Sequence, residues 1–272
     1  SNIYCILTTL TTNGTFATNV VLNGRGGSLV GYHFVTNFAT KSIGHGVLFN
    51  GEGIVVTNLL LSTFKTCLSV GGTNITVANV MATAGGNNTA AVTSGKNISF
   101  VDSIFNNCQR EDENSPAAGI DVEPNADETV EDISFTRCVF DGNDGIGLYI
   151  QKGAGNPPLN VSIVDCLFNG NQKHGLVAAY VIGLGITNSI STSNVLSGFN
   201  IGVTNAVAKG CVGNSNGTYG MFVPGGNNVI IRNGVFNNNT IYGVYTIDVD
   251  GLGLWTTTAT GNGVEDFNIN NS

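Results

Sequence analysis

One short phrase returns ten times along this chain, and its spacing restricts the folds open to it. The phrase is a small residue followed by apolar, variable, apolar: GVLF (46–49), CLSV (67–70), AAV (90–92), GIDV (119–122), GLYI (147–150), GLVA (175–178), GFNI (198–201), GMFV (220–223), GVYT (243–246) and DFNI (266–269). Its first apolar residues stand at 47, 68, 90, 120, 148, 176, 199, 221, 244 and 267, so successive differences are 21, 22, 30, 28, 28, 23, 22, 23 and 23. A near-constant period in this range is the mark of a solenoid, whose repeats bury their apolar faces only by stacking on one another.

A second phrase is interleaved with the first: GIVVTNLL (53–60), NITVANVM (74–81), NISFVDSI (97–104), DISFTRCV (132–139), NVSIVDCL (160–167), NVIIRNGV (228–235) and GLGLWTTT (251–258). Four residues into it comes a polar corner: Asn58, Asn79, Asp102, Asp165, Asn233 and Thr256, with Arg137 as the exception. The next position (Leu59, Val80, Ser103, Cys138, Cys166, Gly234, Thr257) is small or apolar and is expected to face the core. Both phrases alternate with the period of 2 that a strand requires. Two strands per repeat, a polar corner and a variable loop predict an all-β chain, a right-handed single-stranded parallel β-helix of about ten coils over residues 44–272. Residues 1–43 follow the pattern poorly and are expected to form irregular first coils or an N-terminal cap.

The interleaved phrases, the Asn/Asp corner and the segment GIDVEPN (119–125) resemble the right-handed parallel β-helix superfamily, which includes pectate lyases, polygalacturonases, alginate epimerases and phage tailspike depolymerases. The resemblance implies a polysaccharide substrate, an extracellular or virion-associated location and, as in tailspikes, a homotrimer. It also implies carbohydrate chemistry without fixing which, because architecture does not determine activity.

Charge agrees with a site in one place. Twelve of the 18 acidic residues fall between Asp102 and Asp144, in a chain only 10% charged with a net charge of −8. Ten scattered Lys and Arg and a pI near 4.6 argue against nucleic acid, and no apolar run reaches the ~18 residues of a membrane span. The 38 glycines favour tight turns over helices. Six cysteines without a CxxC pair exclude a zinc ribbon and read as mostly free core thiols.

Within the acidic window, alternation points Ile120 and Val122 inward and Asp121 and Glu123 outward together. Such a pair lies ~6.6 Å apart on one strand face, inside the ~6.5–9.5 Å of inverting glycosidases. Asp121 and Glu123 are therefore the candidate acid and base, in either order, with solvated surface carboxylates as the alternative. The 108–116 insertion adds Glu113 as a third candidate carboxylate and Arg110 as a substrate clamp. Its acids could instead hold Ca²⁺, although no calcium motif is present and no metal or other cofactor is expected. Tyr149, Gln151, Lys152 and His174 fall on the following coils and are candidate substrate-binding residues. Lyase or epimerase chemistry, with Tyr149, Lys152, Lys173 or His174 as base, ranks second, because an acidic floor disfavours an anionic sugar. His45 in Gly44-His45-Gly46 matches one fragment of a polygalacturonase signature whose other parts are absent, and reads as a turn histidine. Outward Tyr149, Phe222 and Tyr245 could stack on sugar rings, whereas Leu48, Val177 and Phe222 suit a subunit contact. A non-catalytic glycan-binding spike or adhesion module is the alternative to a depolymerase.

Overall fold

The computed structural model describes residues 17–18, 21–30, 45–110 and 115–270. Every regular element among them is a β-strand, and the strands pair in parallel with their counterparts one coil away. The chain is a parallel β-solenoid of about ten turns. No helix among the described residues is long and apolar enough to cross a membrane.

The register is the one the first phrase predicts. Val47 pairs with Leu68, Leu68 with Ala90, Ala90 with Ile120, Ile120 with Leu148 and Leu148 with Leu176. The column continues through Phe199, Met221, Val244 and Phe267. Ile120, Leu148 and Leu176 are fully buried. At ~25 cal/mol per Å² of apolar surface, a column of this kind is the main favourable contribution to folding. In the second phrase Val56, Val77, Phe100, Phe135, Ile163 and Ile186 form a second inner column, in which Phe100 and Phe135 stack at 5.2 Å between centroids.

The expected two strands per coil are three. The polar corner does not separate the two phrases but divides the second one, because its residue has a left-handed backbone: Asn58 φ 55°, Asn79 52°, Asp102 49°, Asp165 53° and Asn233 53°. Asn and Asp tolerate this region better than other L-residues. In the coils with Asp102, Arg137 and Asp165 the strand ends at the corner and a short one begins on a new face, at Ile104–Asn106, Val139–Asp141 and Leu167–Asn169, whereas Val55–Ser62 and Thr66–Thr83 run on through Asn58 and Asn79. Arg137, the departure from the pattern, holds φ 52° all the same. Its guanidinium donates from Nε to Asp102 Oδ1 at 2.6 Å and from Nη2 to Asp102 Oδ2 at 2.9 Å, so the coil below supplies what the corner lacks. The column after the corner faces the core as expected at Val80, Ser103, Cys138 and Cys166, whereas Leu59 and Thr257 remain partly exposed. Cys67, Cys138, Cys166 and Cys211 are free and buried, and Cys108 is buried too.

Between the third strand and the next coil lies a buried asparagine ladder. Asn143, Asn171, Asn194, Asn216, Asn239 and Asn262 occupy equivalent positions, and each Nδ2 donates to the Oδ1 one coil on at 2.9–3.1 Å. The same oxygens also accept backbone amides, such as Asn143 N–H to Asn171 Oδ1. The second Nδ2 proton goes to a backbone carbonyl, such as Phe105 O from Asn143. Asn262 donates in turn to Asp266 Oδ1 at 2.8 Å, a position that needs only an acceptor. The ladder satisfies loop amides that would otherwise be buried without partners.

Candidate active-site face

The outer side of the first-phrase sheet carries the acidic coil. Asp121 lies on the Ala118–Val122 strand, between Ala91 on the preceding coil and Tyr149 on the next, and Tyr149 is followed by Val177. Asp121 is only 7% exposed: alternation set its face correctly, but the face is covered at this point.

Burial fixes the electrostatics of the carboxyl. Asn88 Nδ2 donates to Asp121 Oδ2 at 3.1 Å, and Asn88 is held in that orientation by the Ala118 amide, which donates to its Oδ1. Asp121 Oδ1 is buried without a hydrogen-bond partner. Desolvation first, and the nearby Glu123 carboxylate second, push Asp121 up from the ordinary value to about 7, against the lowering effect of Asn88. An orphaned oxygen and a raised pKa describe one thing, a carboxyl that carries its proton near neutrality.

Glu123 follows the strand and is partly exposed. Its side chain lies across the turn at Gly153, where a Cβ would come within 2.4 Å of Glu123 Cγ and where φ is +57°. Tyr149 is half-buried and its phenol donates to Gln151 Oε1. Burial, then the Asp121 and Glu123 charges, raise the Tyr149 pKa. The structure thus gathers Asp121, Glu123, Tyr149 and Gln151 together, with Asn88 and Gly153 as supports that the sequence pattern did not single out. Asn88 stands two residues before Ala90 and in register with Ala118, which was the available signal.

Lys152 is exposed. Arg110 is exposed and its backbone amide donates to Asp144 Oδ2 at 3.2 Å, on the neighbouring coil. His174 is partly buried and its Nδ1 accepts from the Ser197 amide at 3.2 Å. Burial and the nearby Lys173 lower its pKa to about 4, so it is neutral with the ring proton on Nε2. Glu113, and with it Glu111 and Asp112 of the Ca²⁺ alternative, lies outside the described residues. Among the described residues no three His, Cys, Asp or Glu side chains converge as a metal site. The side chain of His45 is also outside the description, although the residue opens the strand His45–Glu52.

Further along the same face four partly exposed rings meet. Phe222 and Tyr245 stack at 5.3 Å and 14°, and Tyr219 and Tyr242 at 5.6 Å and 9°. Tyr219 also packs on Phe222 and Tyr245, and Tyr242 on Tyr245, at 5.0–5.3 Å. In the column Asp121, Tyr149, Val177, Asn200, Phe222, Tyr245, Phe222 stands four coils beyond Asp121, ~19 Å away at 4.8 Å per coil.

No protein-family model and no curated protein sequence matches this chain. Solved structures do. The A-module of Azotobacter vinelandii mannuronan C-5 epimerase AlgE4 matches over 94% of this chain and 91% of its own, with 13% identity and a TM-score of 0.55. ORF18 of Geobacillus virus E2 matches over 91% of this chain and 48% of its own, with 11% identity and a TM-score of 0.57, so this chain spans about half of that protein. Pectate lyase Pel9A matches over 89% and 70%, with 13% identity and a TM-score of 0.52. At such identities the likeness is one of architecture, and the fold of this chain is the pectate-lyase-like parallel β-helix.

Proposed function

We propose that this chain is a carbohydrate-active β-helix, a depolymerase that cleaves glycosidic bonds of a surface or capsular polysaccharide laid lengthwise on the first-phrase sheet. The observation that carries the reading is a carboxyl, Asp121, held near pKa 7 by burial and standing beside Glu123 on the same coil. A carboxyl kept protonated near neutrality is the usual starting point for assigning a general acid. Asp121 gives its proton to the leaving glycosidic oxygen. Glu123 takes a proton from the water that attacks the anomeric carbon, with Tyr149 and Gln151 placed to hold the sugar. An inverting displacement through that water needs ~6.5–9.5 Å between the two carboxyls. The four rings bind the chain further along. Two proteins that share the fold, a mannuronan epimerase module and a pectate lyase, are named for polysaccharides. The fold shared with a viral protein supports an extracellular or virion-associated, tailspike-like setting.

A second reading, glycan binding without cleavage, is favoured by the shielding of Asp121, whose Oδ1 is buried and whose Oδ2 is taken by Asn88. Release of reducing ends from capsular polysaccharides separates the two. Loss of that release in both Asp121→Asn and Glu123→Gln, with the circular dichroism spectrum unchanged, supports cleavage; full activity in both variants overturns it.

A further inference from the structure

We infer that copies of this chain associate side by side through an aliphatic stripe on the outer face of the third sheet, a different face from the one that carries Asp121. The stripe is a single column of paired residues: Met81 pairs with Ile104, Ile104 with Val139, Val139 with Leu167, Leu167 with Ile190 and Ile190 with Val212. Leu60 precedes it and Val235 follows it. These eight positions are all apolar, and all point outward, because the residues after them, among them Ala82, Phe105, Phe140 and Phe168, are the fully buried ones. Met81 is 36% and Ile190 44% exposed, and the others are partly exposed.

Such a column has no role in the solenoid's own core, and outward positions carry no requirement for apolar residues. Isolated surface aliphatics need no explanation, but a contiguous line of them does. Seven coil steps of 4.8 Å make the stripe ~34 Å long.

The shape and charge of the face favour a second copy as its occupant. A straight row of side chains at the coil spacing is matched along its whole length by a surface with the same spacing, and an identical solenoid has it. Each chain carries a net charge of −8, so copies repel one another over most of their surface. The column beside the stripe is Thr83, Asn106, Asp141, Asn169, Thr192 and Asn214, with one charge among six. On that flank copies meet with little charge to desolvate and a polar amide rim, whereas the corner on the other flank carries Asp102, Arg137 and Asp165, with Asp102 and Arg137 already paired to each other. One three-residue strand ~10 Å wide and ~34 Å long covers ~340 Å², less than half of the ~800 Å² per partner of a stable interface. The flanking corner columns must then share the contact.

The test is the mass of the chain in solution, by size-exclusion chromatography with light scattering at roughly 100 µM, a concentration that reveals association for Kd values up to about the same size. The wild type is expected as an oligomer and the double variant Leu167→Lys, Ile190→Lys as a monomer with an unchanged circular dichroism spectrum. If lysines impair folding, Leu167→Asn with Ile190→Asn replaces them, since Asn already occupies the adjacent column. A monomeric wild type overturns the inference, as does an oligomer that survives the folded double variant. Neither outcome depends on whether the chain cleaves or binds sugar.

Discussion

Replacing Asp121 by Asn should invert the stability difference between variant and wild type as pH rises. The folded carboxyl titrates near 7 and the unfolded one near 3.8. Between those values the folded state binds more protons, so wild-type stability is full below about pH 4, falls through the window and levels off above about 7. Three pK units at 1.36 kcal/mol each make the total fall ~4 kcal/mol, an order-of-magnitude figure. The amide of the Asp121→Asn variant does not titrate and has no such slope. Its oxygen can still accept from Asn88, which turns its amide group toward the site of the orphaned Oδ1 and leaves a buried donor unpaired at ~1–3 kcal/mol. The variant should therefore be less stable than wild type by ~1–3 kcal/mol at pH 4 and more stable by a similar amount at pH 8. Urea titrations at half-unit pH steps, followed by Trp255 fluorescence, measure both curves; His174 and the remaining acids are common to the two and cancel in the difference. Parallel curves from pH 4 to 8.5 would refute the claim that Asp121 is buried and protonated.

Glu123→Gln removes the neighbouring charge that raises Asp121. The Asp121-dependent stability slope should move to lower pH, seen as an earlier plateau in the same titrations. Asn194→Ala breaks the ladder in its middle, removing the acceptor of the Asn171 amide and the donor to Phe168 O. A loss of ~3 kcal/mol or more corresponds to a Tm drop of ~6–12 °C for a chain of this size, read by calorimetry. Tyr219→Ala with Tyr245→Ala removes two of the four stacked rings. Oligosaccharide affinity should fall roughly tenfold for each ~1.4 kcal/mol of sugar–ring stacking removed, measured by titration calorimetry with folding unaltered.

Repetition made the inner columns legible. In a solenoid equal residues stack, so the interval between Ile120 and Leu148 is itself a contact, and the structure pairs them. The asparagine ladder was written in the same notation: 143, 171, 194, 216, 239 and 262 differ by 28, 23, 22, 23 and 23. It is hard to see in the sequence because its residues fall between the phrases, in what reads as loop. The third sheet was hidden for another reason. A left-handed Asp inside an alternating run leaves the alternation nearly intact while turning the chain, so ISFVDSIF (98–105) reads as one strand and folds as two, broken at Asp102. Burial of Asp121 could not be read at all. Period 2 says which side of a sheet a residue faces, whereas its cover comes from chain distant in sequence.

The same period keeps the proposed groove and the proposed contact between copies on separate faces. Each coil offers three outward faces, separated by corners whose left-handed residues hold the faces apart. The face with Asp121, Tyr149, Phe222 and Tyr245 varies from coil to coil, alternating acid, aromatic and small residues, as a groove for a polymer of unlike subsites requires. The third-sheet face hardly varies, with aliphatic residues at every described step from Leu60 to Val235. Uniformity of this kind suits a partner that repeats at the same interval, and variety suits a ligand read along its length. Docking through the stripe covers neither Asp121 nor the rings, so an oligomer would present as many open grooves as it has chains. Lysines at Leu167 and Ile190 should accordingly dissociate the assembly while the reducing ends released per chain stay the same.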